Sequence, residues 1–228
     1  MKKQRSIKQK LGILVGVGII IITGTLISYT SLKTRKQSVN DAEKIAFEAA
    51  KNYAGKVKAK IEVALDESRA IAQSISAVRK YDTLNFSRAQ VNAMLESLLE
   101  KNKDFLGVYT AWEPDAFDGK DKMYANSPGH DETGRFIPYW VRDASGRIIN
   151  EPLKDYQKSG AGDYYQLPKL KKKEVIIDPI YYTIGSNEVL LISLVTPIIH
   201  NNQFYGITGV DFSIDFLQKL IEKSNFFH

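Results

Sequence analysis

The chain has 228 residues, 43% hydrophobic and 25% charged, which fits one domain of moderate size with an appendage. It has no cysteine, so disulfides, thiol catalysis and thiolate metal sites are excluded. Eight of its 32 basic residues fall in residues 1–36, where there is no acid; the remainder holds 24 basic against 26 acidic residues, and this net −2 argues against a nucleic-acid footprint.

Residues 11–29 read LGILVGVGIIIITGTLISY, without a charge. About 20 apolar residues in a helix cross a bilayer core, and this run is that long. A cleaved signal peptide is the alternative. Its apolar region is shorter and ends in a small-residue site; here no A-x-A pattern follows, and Lys33, Arg35 and Lys36 come next. The run reads as an uncleaved anchor. Five basic residues precede it and three follow, so the positive-inside bias predicts a cytoplasmic N-terminus and an exported remainder. The expected division is 1–36, tip and membrane helix, and 37–228, extracytoplasmic domain of a single-pass cell-membrane protein. Gly12 and Gly16 form a GxxxG pair, a weak signal for helix pairing.

Beyond the membrane, Ala42, Ile45, Ala49, Tyr53, Val57, Ile61, Ala64, Ser68, Ile71, Ile75 and Val78 fall at helical spacing. This predicts one long amphipathic helix over about 39–80. Such a helix can hold a domain off the bilayer and carry a displacement back to it; it can equally do no more than back a sheet. A second helix is predicted over 87–101, with Asn85 or Ser87 as cap and Val91, Met94, Leu95, Leu98 and Leu99 as its apolar face.

From Phe105 the period changes to that of strands. FLGVYTAW and RFIPYWVR are the first two, and Ala144-Ser145-Gly146 turns the second into RIIN. A short helix over 164–170 precedes EVIIDPIYY, EVLLISLVTPII and QFYGITGVDF, joined by Gly185-Ser186-Asn187 and His200-Asn201-Asn202. These last three form an antiparallel meander, and a helix over 213–223 closes the chain. The fold class is α+β: a transmembrane helix, a long amphipathic helix, then an antiparallel sheet flanked by helices.

No nucleophile elbow, H-E-x-x-H or paired-histidine pattern is present, which argues against an enzyme. Asp115, Asp118 and Asp121 recur in WEPDAFDGKD, but an EF-hand needs alternate ligands and a terminal glutamate. The stretch reads as a turn with solvated carboxylates. Tyr109, Trp112, Tyr139, Trp140, Tyr156, Tyr164, Tyr165, Tyr181 and Tyr182 cluster in the sheet-forming half. Small-molecule pockets are mostly apolar and aromatic with a few placed polar groups, and aromatic faces hold cationic nitrogen. Each of these residues alone reads as packing; the cluster reads as a pocket. Asp211 ends GITGVD, at a strand end that can present a carboxylate to it. Its alternative role is to cap the closing helix.

The order VYTAWEPDAFDGKD, GRFIPYW, DYYQLPK, IIDPIYY and YGITGVDFSIDFL resembles the extracytoplasmic double-Cache sensor domains of bacterial methyl-accepting chemotaxis proteins and related histidine kinases. The resemblance covers essentially the whole chain. It implies a PAS-like ligand-binding lobe, no cofactor, a homodimer, and a cytoplasmic signalling module in the full receptor. Amino-acid-sensing members have R-x-W-Y, then Y-x-D, then a later Asp. Here Tyr164 and Tyr165 stand for W-Y and Asp211 for the late Asp. Gly162 replaces the arginine, and Ile180 and Tyr182 fall where Y-x-D would be. Arg135 or Arg142 is the candidate replacement for that arginine.

The resemblance therefore implies a small nitrogen-containing ligand, whether amine, amino acid or purine-like. Its expected contacts are Tyr109, Trp112, Tyr139, Trp140, Tyr164, Tyr165, Tyr182 and Asp211, with no metal. GRFIPYWVRD is expected to turn its aromatic side to the pocket and its arginines to the rim or outer face. A second lobe, a second span and signalling modules would follow SNFFH, so the chain reads as a fragment or a truncated receptor.

Overall fold

The computed structural model describes residues 6–80 and 86–222; Asn85, Lys223 and SNFFH lie outside that range. One helix, α1, runs unbroken over Ile7–Lys80. The two helices expected from sequence are one because the joining residues, TSLKTRKQS, contain neither Pro nor Gly to stop it. By internal contacts the chain divides into a unit Met1–Ala54, helix alone in its described residues, and a unit Gly55–Asn225 that carries the sheet. The first holds the one helical stretch among the described residues that is long and apolar enough to cross a membrane. The apolar stripe expected from Ala42 onward is covered only in its later part. Ile45 and Phe47 are exposed, while Ala64, Ser68, Ile71, Ala72 and Ile75 are buried at helical spacing.

Helix α2, Arg88–Lys101, starts with a capping box: Ser87 accepts from the Gln90 N–H and the Gln90 side chain accepts from Ser87 N. The sheet follows with β1 Gly107–Trp112, helix α3 Asp121–Tyr124, β2 Pro138–Arg142, β3 Ile148–Pro152, helix α4 Asp163–Lys171, β4 Val175–Ile184, β5 Asn187–His200, β6 Gln203–Ser213 and helix α5 Ile214–Glu222. The strand order is β3-β2-β1-β6-β5-β4, antiparallel throughout. The β4–β5–β6 meander is therefore joined to the earlier hairpins by β6 lying against β1. Strand β4 takes Asp178-Pro179 at a bulge on the sheet edge, where a missing N–H is tolerated.

Side chains alternate across a strand, so the strands inside the edge strand β4 serve two cores, while β4 serves one and exposes Ile176 and Tyr181. One core joins Val108, Trp112, Leu194, Ile198, Val210 and Phe212 to the buried residues of α1 and α2. The other joins Tyr109, Tyr139, Tyr164, Tyr182, Leu191 and Val195 on the opposite face. On the helix side a buried pair fastens α1 to β6. Thr208 Oγ1 donates to Ser68 O at 2.8 Å, and Ser68 Oγ lies 3.1 Å from both Thr208 O and Thr208 Oγ1.

The reading of WEPDAFDGKD as solvated is corrected. Asp121 is buried, and Arg88, itself 3% exposed, donates to it at 2.7 Å and to Asp118 at 2.9 and 3.0 Å. Asp115 and Asp121 each accept the other's backbone N–H. The Arg88 guanidinium also stacks 4.1 Å from the Tyr124 ring centroid. A cation thirty residues upstream in sequence pairs with Asp118 and Asp121, while Asp115 stays exposed as the sequence reading expected.

Candidate functional site

On the face away from α1 and α2, two tyrosines cross a neighbouring strand over a glycine. Tyr139 on β2 lies over Gly107 on β1: a Cβ at Gly107 would stand 2.5 Å from the Tyr139 ring. The ring passes over that gap, and the hydroxyl donates to Asp211 Oδ2 on β6 at 2.7 Å. Tyr109 on β1 repeats the arrangement one strand over. A Cβ at Gly209 on β6 would stand 2.1 Å from its ring, and its hydroxyl meets Ser193 Oγ on β5 at 2.5 Å. Register makes this possible: Gly107 faces Asp211, Tyr109 faces Gly209, and Ser193 faces Asp211.

Tyr164 on α4 and Tyr182 on β4 complete the group. Both are fixed by the main chain of Lys154: Tyr164 OH donates to its carbonyl at 2.6 Å, and Tyr182 OH accepts its N–H at 2.8 Å. The four rings form a closed cycle of edge-to-face pairs. Centroids are 5.8 Å apart for Tyr109–Tyr139, 5.5 Å for Tyr139–Tyr182, 6.3 Å for Tyr182–Tyr164 and 5.8 Å for Tyr164–Tyr109, with planes 78–83° apart.

Asp211 is 4% exposed, and its Oδ1 is buried with no hydrogen-bond partner. Burial pushes its carboxyl up to about 7; the hydroxyls of Ser193 and Tyr139 offset this only in part. Burial and the nearby Asp211 charge together hold the hydroxyls of Tyr109 and Tyr139 well above the ordinary phenol range, so both stay protonated. The capping role considered for Asp211 belongs to Ser213, whose Oγ accepts the Phe216 N–H at 3.1 Å.

The sequence-predicted residues thus separate. Tyr109, Tyr139, Tyr164, Tyr182 and Asp211 come together. Trp112 and Trp140 lie on the helix face: Trp112 is fully buried against Phe117, and Trp140 Nε1 donates to Asn92 on α2 at 2.9 Å. The physical reason is strand alternation, since Tyr139 and Trp140 are adjacent and Tyr109 and Trp112 are three apart. Tyr165 belongs to a neighbouring network. It hydrogen-bonds Glu113, accepts from Arg135 at 2.8 Å, and packs against Tyr156 and Phe204. Tyr181 is 70% exposed.

Neither arginine of GRFIPYWVRD sits at a rim. Arg135 is buried, donates to the Trp112 carbonyl and stacks on Tyr156. Arg142 donates to Leu99 O at the end of α2. Sequence reasoning missed Gly107, Gly209, Ser193 and the Lys154 main chain. The G-x-x-G-x-D spacing of β6 carried the one available signal, because it leaves Gly209 on the same face as Asp211. A cleft of about 630 Å³, lined in part by Asp131, Thr133, Leu153, Lys154 and Tyr156, opens beside the segment that holds Tyr164 and Tyr182.

Comparison with known proteins adds to this geometry. Residues 91–219 match the family model described as methyl-accepting chemotaxis protein-like, first PDC sensor domain. The methyl-accepting chemotaxis protein TlpQ of Pseudomonas aeruginosa is 28% identical over 149 residues, 60% of this chain and 21% of TlpQ. Among solved structures, the extracellular domain of the histidine kinase mmHK1S-Z3 is 40% identical with a TM-score of 0.67, over 76% of this chain and 59% of that one. Methyl-accepting chemotaxis protein X is 28% identical with a TM-score of 0.59, over 78% and 65%. The chain spans about a fifth of TlpQ and less than two thirds of either solved chain.

Proposed function

Because this chain belongs to the family of methyl-accepting chemotaxis protein-like first PDC sensor domains, we propose that it is the small-molecule sensing part of a membrane-anchored chemoreceptor, and that its ligand is a protonated amine held by Asp211 and the four tyrosines. The observation that carries this is the Asp211 carboxylate: buried, with Oδ1 short of a well-formed hydrogen bond and only neutral hydroxyls acting on it, beside four tyrosine rings packed edge to face. Buried polar atoms are normally paired. A carboxylate left short of one donor among aromatic rings suits a cationic N–H.

The same geometry favours an amine over an α-amino acid. Gly162, where the family resemblance implied an arginine, has no room for a side chain, since a Cβ there would stand 2.4 Å from Asp155 O. Arg135 holds the Trp112 carbonyl, five residues along β1 from the Gly107 that faces Asp211. That is about 17 Å at about 3.4 Å per strand residue, while an α-amino acid separates its two charges by one carbon.

Residues 37–228 are the exported part in this reading, and 1–36 the cytoplasmic tip and anchor. Protease added to intact spheroplasts is expected to digest the chain beyond Lys36; complete protection would sink the exported-sensor reading. Exposed apolar residues on α1, Val39, Ile45 and Phe47, support pairing of two chains through that helix. A second reading concerns output. The 40% identity to a histidine kinase sensor exceeds that to either chemoreceptor, and a kinase core encoded downstream would favour it over chemotaxis.

The ligand test is calorimetry on the full chain in nanodiscs with pentylamine and 2-phenylethylamine against norleucine and phenylalanine. The amines are expected to bind more tightly than their carboxylated counterparts. Asp211→Asn is expected to weaken binding by about 2–5 kcal/mol, roughly 30-fold to several-thousand-fold. Equal affinity in the two proteins removes Asp211 from the site.

A further inference from the structure

Asp211 is the acid whose neutraliser is missing. The groups that face it are hydroxyls: Tyr109 from β1, Tyr139 from β2, Ser193 from β5, Tyr182 from β4 and Tyr164 from α4. The charged side chains on the elements packed around the cycle are engaged elsewhere. Lys154 Nζ pairs with Glu151, Lys169 with Glu113, and Arg135 donates to the Trp112 carbonyl; Asp163 accepts the Gly160 N–H. Among the described residues, no Lys, Arg or His acts on the Asp211 carboxyl.

We propose that the proton is a competing ligand of this site: the unliganded sensor holds Asp211 as the neutral acid, and an amine cation enters by displacing that proton to solvent. The inference rests on the amine reading above. The exchange is balanced. The O–H bond of the Asp211 carboxylic acid breaks, its proton goes to buffer, and the carboxylate then accepts an N–H from the ammonium, which keeps its own charge. Net charge in the buried site is zero before the exchange and zero after it, when one cation and one anion are paired, so no uncompensated charge is left out of water, which is the expensive state. The midpoint near 7 that burial gives this carboxyl places the exchange in the physiological range. Alkylamines, with the chemistry of a lysine side chain, stay protonated throughout it.

Acid would therefore act as an antagonist at the ligand site itself. Below the midpoint the apparent affinity falls about tenfold per pH unit, because the binding-competent fraction does. At the midpoint about half a proton is released per amine bound.

Two measurements on the full chain in nanodiscs test this. The first follows the Asp211 carboxyl carbon by NMR in the unliganded protein from pH 4 to 9, with Asp211→Asn to assign the signal. If that variant does not fold, Asp211→Glu moves the signal instead. A midpoint between 6 and 8 is expected, and one below 5 overturns the proposal whatever binds. The second measures pentylamine affinity by calorimetry from pH 5.5 to 8.5 in two buffers of different ionisation enthalpy. The expected result is tenfold weakening per unit below the midpoint, with a buffer-dependent heat that reports the released proton. Binding of constant affinity over that range overturns proton competition and leaves the amine reading standing. A protein with its midpoint near 7 that binds no amine at pH 8.5 overturns the amine reading, and the competition with it.

Discussion

On its helix side the sheet presents Val108, Leu194, Ile198, Val210 and Phe212 to α1 and α2; the Arg88–Asp118–Asp121 cluster and the Ser68–Thr208 bonds are paired there, while Trp112 Nε1 and Thr196 Oγ1 are buried without a partner. On the other side the same strands present Tyr109, Tyr139, Tyr182, Ser193 and Asp211, dry as well, but with one carboxylate oxygen unmatched. Burial alone therefore does not tell the two apart, since both are closed to water. The difference is the kind of group left bare. On the helix side these are neutral, an indole N–H and a threonine hydroxyl, within a core whose apolar side chains each contribute about 1.5–3 kcal/mol by burial. On the tyrosine side it is a carboxylate oxygen, and an ionised carboxylate is the costliest of these to leave short of a donor.

This contrast can be broken by substitution. The largest expected effect is on the helix side: Arg88→Ala leaves two acids without their cation and should cost about 3–5 kcal/mol in urea melts, with pentylamine affinity unchanged within about twofold once the folded fraction is allowed for. A fall in affinity as large as that in Asp211→Asn would show that the two sides are not separable.

Next in size is an effect of opposite sign. Asp211 is raised from 3.8 to about 7 in the fold. The folded state thus binds more protons than the unfolded one between those values, and stability falls as pH rises from about 4 to 7. Asp211→Asn carries no such charge. It should melt with the wild type near pH 4 and above it at pH 8, by an amount on the order of a few kcal/mol. A variant less stable than wild type at pH 8 would mean that Asp211 serves the fold and not a ligand.

A smaller loss is expected from Gly209→Ala, whose methyl meets the Tyr109 ring. Overpacking should cost about 1–3 kcal/mol and end amine binding. Tyr109→Phe keeps the ring over Gly209 and removes only the hydroxyl that meets Ser193, so its melting should change little; unaltered amine binding in Gly209→Ala would take the Tyr109 ring out of the site. The smallest change is Tyr139→Phe. Loss of the hydroxyl that donates to Asp211 should raise its midpoint by about one unit and weaken pentylamine about fivefold at pH 7, about 1 kcal/mol, with little change in melting. Unaltered affinity at pH 7 would make that hydrogen bond structural only.

The sequence was informative where the physics is local. Period-two runs, Gly-rich turns and the Ser87 cap marked the strands and α2 to within a few residues, and an uncharged run of membrane length marked the one helical stretch among the described residues that is long and apolar enough to cross a bilayer. Tyr109, Tyr139 and Asp211 could be singled out because hydroxyl-tipped aromatics and a lone strand-end acid are chemically distinctive. Grouping Trp112 and Trp140 with them ignored alternation, which the spacing already displayed. Other features were beyond reach. That Gly107 and Gly209 are crossing points depends on β6 lying between β1 and β5, a long-range pairing no local window contains. The burial of Asp121 likewise depends on a distant arginine.

Strand β6 carries one further consequence. Asp211 projects to the tyrosine side, while Thr208, three residues earlier, is fastened to Ser68 on the helix side in a place closed to water. A bond network of that kind does not stretch by degrees: its donors and acceptors are either matched or left bare, and leaving them bare is costly. β6 and the α1 turn at Ser68 must then shift together or part altogether. A pull on Asp211 in one core is in this way coupled, through a single strand used as a lever, to the long helix in the other.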